Sequence, residues 1–327
     1  MIIVLIGCTE NPDVPNHTPG VVKVVNGYLM VTYGEGGLVI SNEISGEFIA
    51  QIFPSREMNS IDDFDVDGDL IFLLDTRGRD FLAVYSIRNE KVEMVNAPIA
   101  VEGGPFNGIS AKNGNLIVSG GTTFLERFTY SSSGKLSHPI TFGRDRGHPD
   151  VLLSSDGQAA FVSTDFGIGL DIDRFGVMSL FIGDNLEIPS VISELGIPES
   201  GFTTGVTTPV GFPIQTDIYG DHLLVAHGSG LTIIRLIDNY VFQSASFFNT
   251  GIDATSITIA DNNAFIIGFE ETQPVLIQID LSDINNPRVL SQQPLQTDGS
   301  IPTSIAIGTN DIYIAAGSSG LLTLPLN

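Results

Sequence analysis

The chain has 327 residues with 14 Lys and Arg against 38 Asp and Glu, so its formal net charge is −24. This acidity argues against nucleic acid and anionic lipid as partners, because both require clustered basic side chains. The single cysteine excludes an internal disulfide and a cysteine-based metal cage, and the sequence has no run of about 18 apolar residues to span a membrane.

Residues 1–8 form an apolar segment that ends in the only cysteine of the chain. Leu5-Ile6-Gly7-Cys8 resembles the lipobox of bacterial lipoproteins, in which a small residue precedes the cysteine that is lipidated. The resemblance implies a lipid anchor on Cys8 and a place in the bacterial cell envelope, at the outer membrane or the cell surface. No basic residue precedes Cys8, although a secretory signal begins with one, so we interpret residues 1–8 as part of a longer signal. The alternative is a buried N-terminal strand with an ordinary cysteine.

Residues 9–20 follow the cysteine and are predicted to be a tether. The segment contains Pro12, Pro15 and Pro19, and prolines at this density oppose regular secondary structure. We expect the folded domain to begin at about residue 21.

Residues 21–327 contain a unit that recurs about every 43 residues. Each unit has a short turn with Asn, Asp or Gly, at Asn26-Gly27, Asp67-Gly68, Asn113-Gly114, Asp156-Gly157, Gly220-Asp221, Asp261-Asn262 and Thr309-Asn310. The steps between the second turn residues (taking Gly220 in the fifth) are 41, 46, 43, 63, 42 and 48. A period of about 40–50 residues with four strands per unit is the signature of a β-propeller, so the sequence predicts an all-β, seven-bladed propeller as a single domain.

The second strand of each blade is predicted from a short, nearly continuous apolar run, since a strand between two neighbouring blades is buried on both faces. These runs are Tyr28–Tyr33, Leu70–Leu74, Leu116–Ser119, Ala159–Ser163, His222–Ala226, Ala264–Ile267 and Ile312–Ala316. Turns between third and fourth strands are found in six units only. The last blade is therefore expected to be incomplete, or to be closed by the N-terminal segment around residues 13–18.

Three units resemble known propeller repeats. Residues 279–287, 304–307 and 313–321, which include Tyr313-Ile314-Ala315-Ala316-Gly317, resemble the LVIVD repeat of bacterial envelope propellers, and residues 225–231 are similar to its loop. Residues 153–163 are similar to the related YVTN-type repeat. The resemblance implies a propeller in the cell envelope. It implies little about activity, because propellers carry many chemistries.

The loops that enter each first strand share one end of the propeller, here called the top face, with the loops between second and third strands. A polar residue recurs just before the first strand of six blades: Asp62, Asn107, Asp150, Gln215, Thr255 and Thr303. We expect these residues to surround the mouth of the central channel, where their oxygens could hold a cation, a water or a small polar ligand. The alternative is that they cap backbone groups at tight turns.

The densest polar cluster, residues 144–150, leads into blade four and contains Arg144, Arg146, His148 and Asp150. His227, after the second strand of blade five, is predicted on the same face. The long step places an insertion near residues 184–212, which we interpret as a lid or docking loop, with Ser190–Leu195 as a short capped helix. A tolerated surface insertion explains it equally well.

Asp63, Asp65 and Asp67 match the first half of a calcium-binding loop, with the pattern D-x-D-x-D-G. Two features oppose calcium. Leu74 stands where such a loop has its glutamate, and Phe64 and Val66 align with apolar positions of other first strands. The alternative is a carboxylate-rich inner strand and turn, and no other cofactor is predicted.

The sequence contains no G-x-S-x-G motif and no H-x-x-x-H pair. We therefore predict a non-catalytic, envelope-anchored lipoprotein that binds an envelope protein or a small polar ligand through its top face, and that meets the membrane only through its anchor. The alternative is a hydrolase with its site at the channel mouth, since seven-bladed lactonases resemble this chain in blade number and in the YVTN-like unit. That alternative requires Arg146, His148 and Asp150 to converge on one cavity with Asp62 or Asn107.

Overall fold

The protein is described by a computed structural model that covers residues 18–76, 81–101, 106–120, 124–143, 150–165, 175–182, 190–197, 215–228 and 230–326. Its strands form seven separate antiparallel sheets. Blades one to three contain β1 (Val22–Val25), β2 (Tyr28–Thr32), β3 (Leu38–Asn42), β4 (Phe48–Ile52), β5 (Asp63–Asp67), β6 (Leu70–Asp75), β7 (Phe81–Arg88), β8 (Lys91–Ala100), β9 (Phe106–Lys112), β10 (Asn115–Gly120), β11 (Phe124–Thr129) and β12 (Ile140–Gly143).

Blades four to seven continue the same pattern. They contain β13 (Val151–Leu153), β14 (Ala159–Asp165), β15 (Phe175–Phe181), β16 (Ser190–Ile197), β17 (Gln215–Tyr219), β18 (His222–His227), β19 (Gly230–Ile237), β20 (Val241–Phe248), β21 (Asp253–Ala260), β22 (Asn263–Glu270), β23 (Gln273–Asp280), β24 (Arg288–Pro294), β25 (Ser304–Ile307), β26 (Asp311–Ala315) and β27 (Leu321–Pro325). In the described ranges, no helix is long and apolar enough to cross a membrane.

All seven predicted turns join the first and second strands of a blade, as expected. At Asn26-Gly27 the φ angles are 54° and 77°, and at Asn113-Gly114 they are 48° and 83°. Two successive positive φ angles define the tight hairpin turn whose twist matches that of the flanking strands, and Asn-Gly adopts it at the lowest cost. Because each blade has a turn at the same place, the number of blades can be counted from the sequence.

Apolar side chains fill the space between each pair of neighbouring blades. Blades one and two share a cluster that includes Met30, Leu38, Phe64, Ile71 and Leu73, and equivalent clusters separate every later pair. A seventh cluster joins blade seven to blade one, so the blades form a closed circle. The prediction of an all-β, seven-bladed propeller is confirmed.

The predicted helix at Ser190–Leu195 is wrong, because these residues belong to β16, the outer strand of blade four. Val191 pairs with Leu180 and Leu195 pairs with Val177 of β15. The free edge of β15 thus overrides the local capping signal. The predicted insertion near 184–212 therefore includes a blade strand, and residues 198–214, which follow that strand, lie outside the described residues.

Blade seven differs from the other six blades. Within the described residues it has three strands, in the order β25-β26-β27, whereas each of the others has four. Residues 13–17, most of the segment that was predicted to complete it, lie outside the described residues, and Thr18 lies in no strand.

Hydrogen bonds between blades seven and one close the circle on the inner strands. The Ser304 hydroxyl accepts from the Val22 amide at 3.2 Å, and the Thr303 hydroxyl donates to the Gly20 carbonyl at 2.7 Å. These contacts join residues more than 280 positions apart.

Glu43 of blade one makes a second closing contact with blade seven. Its carboxylate, on a buried side chain, accepts from the amide and the hydroxyl of Thr309, both at 2.9 Å. The Tyr313 hydroxyl donates to the Glu43 carbonyl at 3.3 Å. A Cβ atom at Gly308 would collide with the Glu43 carboxylate and the Tyr313 ring, so a larger residue there would displace these contacts.

Candidate functional site

The first strands of the seven blades surround a central channel. These inner strands are β1, β5, β9, β13, β17, β21 and β25, and all of them contribute residues to a cavity of about 720 Å³. This volume lies within the range of small-molecule sites, roughly 300–1,000 Å³. Among the described residues, the channel is therefore the natural place to look for a functional site.

Strand alternation determines which side chains of β5 reach the channel side. Phe64 is buried in the apolar cluster between blades one and two, with Val66 packed against it. Successive side chains point to opposite faces of a strand, so Asp63, Asp65 and Asp67 all take the other side. Asp63 and Asp65 line the cavity.

The three carboxylates of β5 bind alternate backbone amides of the next blade, along its inner strand β9 and at the turn residue that follows it. Asp63 accepts from Ile109 at 3.2 Å, Asp65 from Ala111 at 2.7 Å, and Asp67 from Asn113 at 3.0 Å. They lie along a regular strand and do not wrap around a common point. In the described part of the chain, no group of three or more His, Cys, Asp or Glu side chains could hold a metal ion. The arrangement is that of the alternative interpretation, a carboxylate-rich inner strand, and it does not fit a calcium loop.

Similar contacts connect the blades that follow. The Ser110 hydroxyl accepts from the Leu153 amide at 3.0 Å, which joins blade three to blade four. Asp150 accepts from the Thr216 amide at 3.2 Å, and Asp217 accepts from the Ile259 amide at 2.9 Å. We call these six contacts the inner-strand links; they are made by Asp63, Asp65, Asp67, Ser110, Asp150 and Asp217. Each link satisfies a backbone donor of an inner edge strand, which the strand's own sheet leaves unpaired.

Lys23 is the cation of the channel wall in the described residues. Its ammonium lies 2.7 Å from Oδ1 of Asp65 and 5.4 Å from the centre of the Phe64 ring. Burial lowers the pKa of Lys23, but the charges of Asp65 and Asp63 more than offset this effect, so the pKa is raised. Lys23 therefore stays charged and joins blade one to blade two.

Three other carboxyl groups in the channel hold protons unusually tightly. Burial raises the pKa of Asp63 to about 7, against the opposing effects of Lys23 and the Phe64 amide. Burial also raises the pKa of Asp150 and of Asp217 to about 6, although backbone amides favour their charged forms. At all three groups the cost of burying a charge outweighs the favourable contacts. We call Asp63, Asp150 and Asp217 the channel carboxylates.

Some of the residues predicted at the channel mouth line the cavity, and others do not. Asp62, Asp150 and Gln215 line the cavity. Asp62 also accepts from Ser60 at 2.6 Å and from the Thr76 amide at 2.9 Å. Its carboxylate therefore holds the top-face loop before β5 in place.

Two of the other predicted residues act as backbone caps. Thr255 is buried and donates to the Pro302 carbonyl at 2.8 Å, and Thr303 donates to the Gly20 carbonyl. Neither lines the cavity. The capping alternative therefore describes both residues. Asn107 lies in β9, but its side chain is outside the described residues, as are Cys8, Arg144, Arg146 and His148.

His227 ends β18, as its predicted position requires, but it is not presented on the open top face. Its side chain is 7% exposed, and its Nε2 lies 2.9 Å from the Thr232 hydroxyl. Its ring stacks on Phe247 with centroids 5.8 Å apart. Burial lowers the pKa of His227 to about 4, so the imidazole is neutral at physiological pH. His227 is a packed residue of blade five.

Sequence inspection missed Lys23 and Asp217, although a signal for both was present. Lys23 contacts Asp65, 42 residues later, and Asp217 binds the amide of Ile259, also 42 residues later. Asp63 binds an amide 46 residues later. These spacings agree within one residue with the repeat steps of 41, 42 and 46 at the same blades, so polar residues on inner strands could have been paired with positions one repeat further on.

No protein-family model matches this sequence, and no curated protein matches it. Solved structures do match. One is a catalytically inactive virginiamycin B lyase from Staphylococcus aureus with quinupristin, at 15% identity and a TM-score of 0.67, covering 98% of this chain and 97% of the lyase. Another is the Cps50 (Swd1) β-propeller domain of Myceliophteria thermophila, at 7% identity and 0.69, covering 95% and 98%. A third is the Pan2 WD40 domain of Neurospora crassa, at 10% identity and 0.65, covering 95% and 90%.

At these identities the likeness shows the fold alone. The class of protein that the seven blades and the central channel define is the β-propeller, and the three neighbours share it. They include a lyase, a WD40 domain and a further β-propeller domain, so the fold alone does not decide the function.

Proposed function

We propose that this chain is a non-catalytic, envelope-anchored propeller that binds a protein partner or a small polar ligand over the top of its channel. The proposal depends on one observation, which is that the aspartates of the inner strands bind the backbone of the neighbouring blade. Asp63, Asp65, Asp150 and Asp217 each accept backbone amides of the next blade. These groups maintain the frame of the channel, and a catalytic acid or base needs its oxygen free to reach a substrate.

The protein partner is supported by the structural neighbours, since WD40 propellers are protein-interaction modules. The envelope address rests on the lipobox-like residues 5–8 and on the LVIVD-like repeats. Gly20 is bound by Thr303 at the top of blade seven. A lipid on Cys8, twelve residues before Gly20, would therefore hold the top face within about 40 Å of the membrane. A partner in the same membrane would lie within reach.

The test is a pull-down from crosslinked envelopes, using the full chain with an upstream start restored and Cys8 intact. A variant in which a short Gly-Ser linker replaces residues 198–214 leaves β16 and β17 in place and removes the predicted docking loop. We expect a reproducible partner with the intact chain and its loss with this variant. Cys8→Ser is the matched control for anchoring. It should release the protein from the membrane fraction and leave partner binding in detergent extracts unchanged.

Each of two results would contradict one part of the proposal, the lipid anchor or the protein partner. Recovery of the intact chain in the soluble fraction alone would remove the lipid anchor. Absence of any partner, in a sample shown to be anchored, would leave only the small polar ligand.

A hydrolase remains the second candidate because of one observation. Asp63 faces a cavity of about 720 Å³, and its pKa of about 7 suits a general base. A panel of lactones and esters, together with quinupristin because a similar propeller was solved with it, would be incubated with the wild type and with Asp63→Asn. Turnover by the wild type that falls at least about a hundredfold in Asp63→Asn would favour the enzyme. Equal background rates would favour the binding module.

A further inference from the structure

The described lining of the channel contains more carboxylates than cations. Its one Lys or Arg side chain, Lys23, is paired with Asp65 at 2.7 Å. Among the described residues, the channel carboxylates Asp63, Asp150 and Asp217 have amide and hydroxyl donors as their hydrogen-bond partners. The described part of the cavity wall therefore carries an excess of negative charge.

The other walls do not compensate this charge. Among the described lining residues, β9, β21 and β25 contribute only apolar, Ser and Thr side chains. The neighbouring acidic and basic side chains either make other contacts or do not line the cavity. Asp62 is bound to Ser60 and Thr76, Lys112 lies 3.7 Å from Asp67 at the lower end of β5, and Asp253 at the top of β21 is not part of the lining.

Burial penalises the charged form of each of these carboxylates, and repulsion from Asp150 adds a smaller penalty at Asp63 and Asp217. Protonation removes both costs. A neutral carboxyl group keeps a carbonyl oxygen, which still accepts the amide hydrogen bond from the next blade. The inner-strand links of Asp63, Asp150 and Asp217 therefore survive protonation, while the repulsion between them does not.

We propose that the ring of inner strands is a pH-sensitive switch, in which protonation of Asp63, Asp150 and Asp217 tightens the junctions between blades and deprotonation loosens them. This inference concerns the chain alone and does not depend on the ligand or partner proposed above. The folded-state pKa values of about 7, 6 and 6 lie above the ordinary value of 3.8. The folded state thus binds protons more tightly than the unfolded chain. The stabilising effect is complete below the ordinary pKa and is lost as the pH rises through 6 to 7.

The test compares the urea midpoint of unfolding of the full chain at mildly acidic and mildly alkaline pH. We expect the wild-type midpoint to fall as the pH rises. In Asp63→Asn, Asp150→Asn and Asp217→Asn the carboxamide oxygen can still accept the amide of the next blade, but the group no longer titrates. In Asp63→Asn and Asp217→Asn the amide of the following residue, which binds the second carboxylate oxygen, loses its acceptor, and this loss is the same at every pH. Each variant should show a smaller fall than the wild type, and the difference should be largest for Asp63→Asn. Replacing a residue that served only as a hydrogen-bond acceptor would leave the fall as large as in the wild type.

Asp67→Asn is the matched control, because Asp67 makes the same kind of link to Asn113 from the same strand but does not line the cavity. It should shift the midpoint equally at both pH values. A wild-type midpoint that does not fall with pH would overturn the proposal. The proposal would also be overturned if the midpoint fell as far with pH in all three channel variants as in the wild type. The same holds if the fall disappeared in Asp67→Asn as it does in the channel variants.

A second measurement needs no variant and covers the case in which one fails to fold. Carboxyl carbons of wild-type protein labelled at aspartate would be followed by NMR as the pH is changed. We expect three resonances with midpoints near 6 to 7. If every aspartate titrates near the ordinary value of about 3.9, the proposal is wrong.

Discussion

Two junctions between blades are built differently. Among the described residues, 13 buried apolar side chains form one cluster between blades five and six, most of them branched aliphatic side chains such as Ile257, Ile266 and Ile277. In the same part of the chain, the buried cluster between blades seven and one has six residues, including the small Ala306 and Ala315. The second junction adds buried polar contacts, above all those of Glu43 with Thr309.

The comparison shows two ways of holding neighbouring blades together. The junction between blades five and six depends on apolar volume removed from water, an energy that is spread over many side chains. The junction between blades seven and one depends more on a few directional bonds between the beginning and the end of the propeller domain. We expect the first junction to respond to lost volume and the second to the loss of single polar atoms.

The largest effect is expected for Ile277→Ala in β23. Ile277 is 0% exposed within the cluster between blades five and six, so its truncation leaves a cavity there. The free energy of unfolding should fall by about 2–5 kcal/mol. Urea unfolding followed by far-UV circular dichroism would measure it, since the chain has no tryptophan. Ile44→Ala, at a side chain that is 74% exposed, is the control and should stay within about 0.5 kcal/mol of the wild type. Equal effects of the two substitutions would refute the volume argument.

Glu43→Ala should give the next largest effect, because it leaves the amide and the hydroxyl of Thr309 without their acceptor at the closing junction. A loss of about 1.5–3 kcal/mol is expected for bonds to a charged group. The same unfolding experiment measures it. Glu47→Ala is the control, since Glu47 is exposed and close to Glu43 in sequence. If Glu43→Ala is no more destabilising than Glu47→Ala, the polar contacts do not hold this junction.

Tyr313→Phe should have the smallest effect of the three. It removes the hydroxyl that donates to the Glu43 carbonyl at 3.3 Å and keeps the ring that packs between blades seven and one. One neutral hydrogen bond contributes about 0.5–1.5 kcal/mol. Tyr28→Phe, at a partly buried tyrosine of blade one, is the control for loss of a hydroxyl elsewhere. A loss above the range expected for one bond would show that the hydroxyl has a further role.

The fold could be predicted because its signals are local. The Asn-Gly turns and the continuous apolar runs each span a few residues, and they place the first and second strands of every blade. Ser190–Leu195 was mistaken for a helix because its capping pattern is also local, whereas its pairing with β15 depends on a strand that ends nine residues earlier. A pattern of a few residues predicts the wrong secondary structure where pairing with a distant strand determines the conformation.

The candidate site was predicted less completely. Asp62, Asp150 and Gln215 were placed at the channel because they directly precede or begin inner strands. Lys23 and Asp217 were not, since their partners lie on the neighbouring blade and only alignment of the repeats brings them together. The burial of His227 depends on Phe247, twenty residues later, which no motif could indicate.

The inner-strand links have a consequence for how the protein avoids wrong partners. The first strand of every blade is a sheet edge, and a row of free amides on such an edge can recruit a strand from another chain and begin aggregation. The amides of Ile109 and Ala111 on β9, and that of Asn113 directly after it, are occupied by the three carboxylates of β5. A foreign strand entering the channel would have to displace these acidic groups to add to that edge. The aspartates of β5 thus protect the inner edge of blade three against self-association as well as attaching it to blade two.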